Sequence, residues 1–349
     1  MQKNEQGTYL KAGGEYSVVL DCLRVVAMLG VLAVHSTSNF PFPEWLDSIF
    51  VFGRRGVQAF FALSAFLGCS YFMRPNAGVA SYYKRRALRI LPTYYAAIVA
   101  AMVYVECFTG GFTADIFHLG WVRYFLGLNT ILPSNSFTEW NNCFAFWSIT
   151  DFIAFYALAP LIFKFVRTYK SAVVFFIICF ALAYLCKAVS KQVPADCFSD
   201  IRVLIKWTPL GQMQHFALGI WAFFAIRENK IKPTVIAMLV IAAVSTRSEM
   251  IGAALACLAI LLVKNHMISL GKAGLGMLKF ASKYSFHVYL THMLGLTIAG
   301  VLATRWLGEA SCAFYWAKAG ITVAVIVLLC GFLELVQRLA DAVFQRKSR

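Results

Sequence analysis

Two ionisable side chains, Arg24 and His35, interrupt an apolar stretch near the N-terminus, DCLRVVAMLGVLAVHSTSN at 21–39. At about 100° per residue, their separation is three helical turns plus about 20°, so a helix places both on one face. At about 1.5 Å rise per residue they lie about 16 Å apart along the axis, half the thickness of a bilayer core. Histidine is the most frequent general base in enzymes, and charged groups at this depth are costly unless they face protein.

Each of the two residues also has a structural interpretation. Arg24 could extend its guanidinium to the aqueous interface, and His35 could hydrogen-bond a neighbouring carbonyl. Asp21 lies three residues before Arg24 and can hold the guanidinium in an ion pair. That pair and the shared face favour a functional site.

A second candidate is a pair of arginines, Arg86 and Arg89, in SYYKRRALRILPTYY at 81–95. Residues three apart project together from a helix and can grip phosphate groups between two guanidinium forks. A basic loop on the inner side of a membrane protein would explain the same cluster. The basic cluster is followed by Pro92, where we expect a span and its helix to start.

Asp151, in FAFWSITDFIAFYALAPLI at 144–162, falls early in a predicted span on the same outer side as His35. A carboxylate there needs a partner. It either pairs with a structural arginine or orients a histidine that acts as a base.

Weaker candidates lie in two other segments. Arg55, in RRGVQAFFALSAFLG at 54–68, is expected at the outer mouth of the second span, and Ser64 with Gly68 makes a small-xxx-small step for helix packing. His292 lies deeper in its span than His287, whereas structural hydrogen bonding is the default for His287 and for His215.

Composition sets the element type that must position these residues. Of 349 residues, 60% are hydrophobic and only 14% charged, and the mean hydropathy is +0.69. A soluble protein would carry about 25% charged residues, so we expect an all-α polytopic membrane protein. The net charge of +16 is spread in short clusters between apolar runs, which indicates membrane topology and not nucleic-acid binding.

The apolar runs predict a bundle of about ten transmembrane helices, at 17–36, 52–73, 91–109, 145–166, 171–189, 211–227, 234–247, 250–264, 281–303 and 316–337. About two thirds of the 32 Lys and Arg residues fall on one side if both termini are cytoplasmic. We therefore predict a cytoplasmic N-terminal segment at 1–16, a membrane bundle at 17–338 and a basic cytoplasmic tail at 339–349.

Three smaller expectations concern the connections. The segment 110–144 should pack as a cap over the outer side, and 265–280 should form a short interfacial helix. Ten cysteines are spread singly, without a Cys/His cluster at metal spacing, so we expect no metal site. One disulfide could form among Cys143, Cys197 and Cys312.

The ordered set of motifs resembles the acyltransferase 3 family, the bacterial membrane-bound O-acyltransferases that modify surface glycans. The resemblance spans nearly the whole chain, and its motifs are the R-x10-H of the first helix, FFALSA at 60–65, RALRILP at 86–92, WSITDFIAFYALAP at 147–160 and SFHVYLTH at 285–292. Ala65 replaces the family's usual Gly, and Asp151 replaces its usual Glu. We expect no SGNH domain after the bundle.

The resemblance implies transfer of an acyl group, most often acetyl, from cytoplasmic acyl-CoA to a sugar hydroxyl of a cell-surface glycan or its lipid-linked precursor. Acetyl-CoA would be a substrate, with no permanently bound cofactor, and the protein would lie in the bacterial inner membrane. Arg86 and Arg89 would bind CoA phosphates, and Arg24 would lie between CoA and the base. His35 would deprotonate the acceptor or carry the acyl group, Asp151 would orient His35 or bind the acceptor, and Arg55 and His292 would contact the acceptor.

The same buried ionisable groups also fit a transporter or flippase for a glycan or a small anion. Transporters often show two related halves, and the sequence has no such internal repeat. A non-catalytic scaffold is a third interpretation. The acceptor, the acyl chain and the oligomeric state do not follow from the sequence.

Overall fold

A computed structural model describes residues 15–109, 119–130, 145–192, 205–246, 248–263, 270–307 and 312–346. These residues are helical throughout, without a strand among them, as predicted. Twelve α-helices follow one another: α1 (Glu15–Thr37), α2 (Glu44–Phe52), α3 (Gly56–Phe72), α4 (Val79–Thr109), α5 (Leu119–Phe125), α6 (Trp147–Phe165), α7 (Tyr169–Gln192), α8 (Pro209–Arg227), α9 (Ile231–Val244), α10 (Met250–Val263), α11 (Lys272–Leu307) and α12 (Cys312–Arg346). A 3-10 turn, Gly53–Arg55, joins α2 to α3.

Seven helical segments among the described residues are long and apolar enough to cross a membrane: Val18–Thr37, Glu44–Phe72, Val79–Tyr104, Trp147–Phe165, Tyr169–Gln192, Lys272–Trp306 and Phe314–Phe344. The remaining three predicted spans coincide with α8, α9 and α10, of which α9 and α10 are shorter apolar helices. The chain is thus a multi-pass helical protein. Ten crossings and cytoplasmic termini stay predictions.

Helix α8 forms the centre of the bundle. Most of its side chains are buried, on all sides of the helix, because it packs against α3, α6, α7 and α10. Three polar residues near its start, Gln212, Gln214 and His215, lower its hydropathy. The rings of Phe61, Phe155 and Phe216 stack where α3, α6 and α8 meet, with centroids 4.4 to 4.5 Å apart around Phe216.

Close helix contacts depend on glycines. A Cβ at Gly219 of α8 would overlap the carbonyl oxygen of Ala62 in α3. In the same way, a Cβ at Gly53 would overlap the backbone of Gly30 in α1. Gly68 of α3 admits the ring of Phe163 of α6, 3.3 Å from where its Cβ would be. The close approach of backbones on α3 is at Ala62, six residues before Gly68.

Helices α1 and α11 run side by side in the same direction. Ser282 donates a hydrogen bond to Asp21 at 2.6 Å near the start of α1, and the rings of His35 and His292 meet near its end, with centroids 5.1 Å apart. The face of α1 that carries Arg24 and His35 therefore packs against protein, as the spacing predicts.

Helix α4 corrects the prediction that Pro92 starts a helix. The helix begins at Val79, so Pro92 lies inside it. Proline has no N–H and cannot donate to the carbonyl four residues earlier, that of Leu88. Gln337 of α12 donates its Nε2 to this carbonyl at 2.9 Å, so a side chain from a neighbouring helix supplies the missing donor.

Helices α9 and α10 pack against each other as a hairpin of two short helices. Each has 14 residues, about 21 Å, against about 30 Å for a hydrocarbon core. Their loop meets the 3-10 turn, where Arg55 donates to its carbonyls, and Gly53 of the turn contacts Gly30 of α1. The candidate span Glu44–Phe72 contains Arg54 and Arg55, and their position at the outer mouth of the span stays a prediction.

Two further boundaries differ from prediction, and two predictions go untested. Residues 272–280 belong to the continuous helix α11 and do not form a separate interfacial helix, because their glycines meet open space or a single Leu side chain and impose no break. Helix α12 continues through most of the predicted tail, to Arg346. The cap at 110–144 is described only at 119–130, and the side chains of Cys143, Cys197 and Cys312 lie outside the described part.

Candidate active site

A pocket with a cavity volume of about 110 Å³ opens among α1, α3, α4, α6 and α11. Arg24, Arg86 and Arg89 line it together with apolar and aromatic side chains, among them Phe60, Phe152, Tyr156 and Tyr289. The volume is below the roughly 300–1,000 Å³ of sites that enclose a whole drug-sized ligand. The pocket therefore suits a narrow arm of a larger anionic molecule.

Arg24 is held by the partner that the sequence predicts. Its Nη1 donates to Oδ1 of Asp21 at 2.8 Å, and the same carboxylate oxygen accepts the hydroxyl of Ser282 from α11. The pair is mostly buried, with the two side chains 22% and 13% exposed. Asp21 therefore fixes the guanidinium of Arg24, which lines the pocket.

Arg86 and Arg89 reach the pocket from one face of α4. The guanidinium of Arg86 lies over the ring of Tyr156 at 4.9 Å and over that of Tyr82 at 5.5 Å, two cation–π contacts. Arg89 is exposed to solvent and lies within electrostatic range of Arg24 and Arg86. Three like charges converge here, and an anion would relieve their repulsion.

His35 lies outside the lining of this pocket, beside His292. The two rings are tilted by 43° with centroids 5.1 Å apart. Nδ1 of His292 bonds the carbonyl oxygen of Tyr289 at 2.7 Å, and the ring of Tyr289 lines the pocket. Tyr289 thus separates the arginine pocket from the histidine pair by one helical turn of α11.

Tyr289 is fixed by hydrogen bonds at its hydroxyl. The hydroxyl donates to the carbonyl oxygen of Ala145 at 2.7 Å and accepts the hydroxyl of Ser148, also at 2.7 Å. All three groups are buried. The start of α6 therefore determines where the Tyr289 ring stands.

Asp151 does not form a hydrogen bond with His35. It is fully buried, and neither of its carboxylate oxygens has a hydrogen-bond partner in the described part of the chain. It lies one turn after Ser148 on α6, near Tyr289. The geometry brings His292, not Asp151, to His35.

Arg55 lies apart from the pocket and is bound to backbone. Its Nη2 donates to the carbonyl of Thr246 at 2.9 Å and its Nε to that of Ser248 at 3.4 Å, both in the α9–α10 loop. Its guanidinium also covers the ring of Phe52 at 4.4 Å. These contacts describe a structural arginine.

The sequence reasoning missed the aromatic residues of the site. Tyr289 carried a signal, because it stands three residues before His292 and shares its helix face. Tyr156 and Phe60 carried none, since aromatic residues at helical spacing are usual in any membrane bundle. Ser148 precedes Asp151 by one turn, and its hydroxyl becomes informative only once Tyr289 is beside it.

The fold and the pocket define a class: multi-pass helical membrane proteins with a cationic site inside the bundle. A family model for the acyltransferase 3 family, described as an acyltransferase domain, matches residues 18–334. The chain belongs to this family and is a membrane acyltransferase. The comparisons with curated proteins and with solved structures found no match.

Proposed function

We propose that the protein transfers an acyl group, in the first instance acetyl, from cytoplasmic acyl-CoA to a sugar hydroxyl of a cell-surface glycan or its lipid-linked precursor. The observation that carries this proposal is the convergence of Arg24, Arg86 and Arg89 on one narrow pocket, one wall of which lies a helical turn from a histidine pair. The bacterial inner membrane is the proposed location, with CoA approaching from the cytoplasm.

On the donor side, the proposal assigns Arg86 and Arg89 to the phosphates of CoA. Arg89 is exposed at the pocket and can meet a large nucleotide outside it, whereas Arg86 is ordered by Tyr82 and Tyr156. Planar guanidinium groups bind phosphate oxygens in pairs. The rest of the pocket is apolar, which suits the long, narrow arm that ends in the thioester.

On the acceptor side, the proposal assigns the chemistry to His35. In a direct route, its imidazole removes the proton of the sugar hydroxyl, the sugar oxygen attacks the thioester carbonyl, and the carbon–sulfur bond breaks. In a two-step route, His35 first carries the acyl group and then yields it to the sugar. In both routes the released proton ends on the CoA sulfur. The buried site excludes water, which would otherwise hydrolyse the thioester.

The remaining predicted residues take different places in the proposal. Arg24 stands on the donor side of the path from CoA to His35, because its guanidinium pairs with Asp21 towards the start of α1, and there it meets the arm of CoA. Asp151 has no partner in the described chain, so we assign it to the acceptor and not to the orientation of His35. We assign Arg55 no acceptor role, because its donors already bind loop carbonyls.

The test compares surface polysaccharide from cells that lack the gene, cells that carry it and cells that carry His35→Gln at equal protein level. O-acetyl groups are counted by NMR of the extracted polysaccharide. We expect O-acetylation with the natural protein and a loss of at least about 100-fold in its rate with His35→Gln. His215→Gln is the control, because His215 is buried beside Phe61 on another helix and does not line the pocket. O-acetylation that is the same with and without the gene would refute the proposed function.

A further inference from the structure

The tautomer of His292 is determined by its backbone contact. Nδ1 lies 2.7 Å from the carbonyl oxygen of Tyr289, and a carbonyl oxygen only accepts hydrogen bonds. Nδ1 therefore carries the hydrogen in the neutral ring, which leaves a bare lone pair on Nε2. His292 is 1% exposed, so the protein and not solvent must satisfy that lone pair.

His35 is placed to satisfy it. Nε2 of His292 has no hydrogen-bond partner among the described residues, and the ring of His35 is its neighbour at 5.1 Å between centroids. A nitrogen–nitrogen hydrogen bond spans about 3 Å, and the rest of the separation is the distance from each centroid to its own ring nitrogen. A rotation of the His35 side chain within its present position therefore completes an N–H···N bond.

We propose that His292 accepts a hydrogen bond from His35 at Nε2 and thereby positions His35 as the base of the acyl transfer. The inference rests on the proposed function and deepens it. His292 becomes a positioning residue, in the place of the acceptor-binding role that the sequence suggested.

The bond has a defined consequence for the chemistry. A histidine that donates one N–H to a neighbour presents its other ring nitrogen as a lone pair, which is the form that takes a proton or attacks a carbonyl. When the sugar proton arrives, His35 becomes a cation, and the lone pair of His292 stabilises it. The proton then returns from His35 to the CoA sulfur, so His292 is unchanged after the cycle.

The series of hydrogen bonds that holds His292 in place begins at the pocket. Tyr289 fixes His292 through its carbonyl, and Ala145 and Ser148 of α6 fix Tyr289 through its hydroxyl. The wall of the donor pocket and the orienting group of the base are thus the same turn of α11. In other enzymes, a carboxylate often orients the base, whereas Asp151 makes no such bond here.

The test uses purified full-length protein in lipid nanodiscs, with acetyl-CoA and polysaccharide extracted from cells that lack the gene. His292→Phe keeps a ring without an acceptor, and His292→Gln restores an acceptor oxygen. We expect His292→Phe to lower kcat about 100-fold with the KM for acetyl-CoA unchanged, and His292→Gln to recover about tenfold. His287→Phe, on the same helix and also buried, is the control and should change kcat less than about threefold.

The inference would be overturned if His292→Phe had the kcat of the natural protein, or if the kcat of His292→Gln were no higher than that of His292→Phe. A second measurement does not depend on activity. Solid-state ¹⁵N spectra, with the His35 signals assigned by their loss in His35→Gln, should show one tautomer in the natural protein, a mixture in His292→Phe, and more of the natural tautomer in His292→Gln than in His292→Phe. The same spectrum in all three proteins would also overturn it. Natural protein that shows the single tautomer but transfers no acetyl group would refute the proposed function, and with it the role of His35 as the base, while the hydrogen bond from His35 to His292 would stand.

Discussion

Arg85 and Arg86 are adjacent in the chain but have different surroundings. Arg86 lines the pocket over two tyrosine rings, whereas Arg85 is exposed and lies over Tyr71 at 5.6 Å, outside the pocket lining. A topology signal requires only that both be positive on the inner side. The pocket makes Arg86 and Arg89 distinct from their basic neighbours.

Changing Arg86 and Arg89 together to Ala should therefore weaken acyl-CoA binding by at least about 100-fold. A charge-assisted hydrogen bond contributes about 1.5–3 kcal/mol, and about 1.4 kcal/mol is a tenfold change in Kd. Calorimetry with a non-hydrolysable acetyl-CoA analogue measures the affinity. Arg85→Ala is the matched control and should leave it within about threefold, since its charge is solvated. Equal affinity for the double variant and the natural protein would remove both arginines from the donor site.

At this scale, the sequence predicted which residues face protein but not which of them meet. The spacing of Arg24 and His35 and the ion pair of Arg24 with Asp21 follow from helix geometry alone, and the structure confirms both. The contact of His35 with His292 joins residues far apart in the chain, so no local pattern encodes it. The sequence left open whether Asp151 pairs with an arginine, orients a histidine or binds the acceptor, because depth in the membrane does not determine which helix a side chain faces.

Two elements show how this chain satisfies backbone groups that its own helix or loop leaves without a partner. An unpaired backbone group in a hydrocarbon environment costs several kcal/mol. Arg55, in the 3-10 turn, donates to two carbonyls of the α9–α10 loop, and Gln58 of α3 bonds the loop residue Glu249 at 3.1 Å. The 3-10 turn and the start of α3 therefore supply the donors that stabilise the loop of the short hairpin.

Arg55→Leu should destabilise the protein by about 2–4 kcal/mol, because two carbonyls lose their donors. Thermal unfolding of detergent-solubilised protein, followed by a thiol-reactive dye that labels the buried Cys69 and Cys257 on exposure, measures this as a lower Tm. Arg54→Leu is the control. Arg54 is exposed and should change Tm little. A Tm for Arg55→Leu equal to that of Arg54→Leu would show that the carbonyls of the α9–α10 loop do not need the donors of Arg55.

Pro92 in α4 allows a test in which a second substitution restores the backbone N–H that proline lacks. Gln337→Leu should cost about 1–3 kcal/mol, since the carbonyl of Leu88 then has no donor. Adding Pro92→Ala should recover most of this loss, because alanine supplies the N–H that proline lacks. The same dye assay measures the single and double variants. A double variant less stable than Gln337→Leu alone would show that the bond of Gln337 to Leu88 is not what stabilises this region.

At the scale of the whole molecule, close contacts between helix backbones at glycines hold the central helices together. In a lipid environment, helices associate through close van der Waals contact, and small residues permit it. Gly219 allows α8 to reach the backbone of α3, and the pair Gly30 and Gly53 allows the 3-10 turn to reach α1. These contacts set the distance between the helices that line the pocket.

Gly219→Ala should lower stability by at least about 1–3 kcal/mol, because the new methyl group overlaps the carbonyl of Ala62. Gly331→Ala is the matched control on α12, where an added Cβ meets nothing within 4 Å, and should be neutral or stabilising by helix propensity. Thermal unfolding of both variants checks the prediction. Equal Tm values would mean that α8 can withdraw from α3 at no cost.

At this scale, composition and periodicity predicted the helices and the class of membrane protein. They did not predict where each helix begins and ends. Apolar runs mark where hydrocarbon is crossed, and each predicted span coincides with a helix. Helices continue past the membrane, however, as α4, α11 and α12 do, because polar residues outside the membrane are equally compatible with helix. The turn at Gly53–Arg55 divides an apolar run that has no proline, so its position depends on the tertiary contact with Gly30.

The bond between Gln337 and Leu88 also bears on how the protein can be shortened. Leu88 immediately precedes Arg89, so the last part of α12 helps to position an arginine of the donor pocket that lies some 250 residues earlier. The family match ends at residue 334, three residues before Gln337. A chain cut at that boundary would retain every residue proposed to touch CoA or sugar and still lose the support of its phosphate-binding helix.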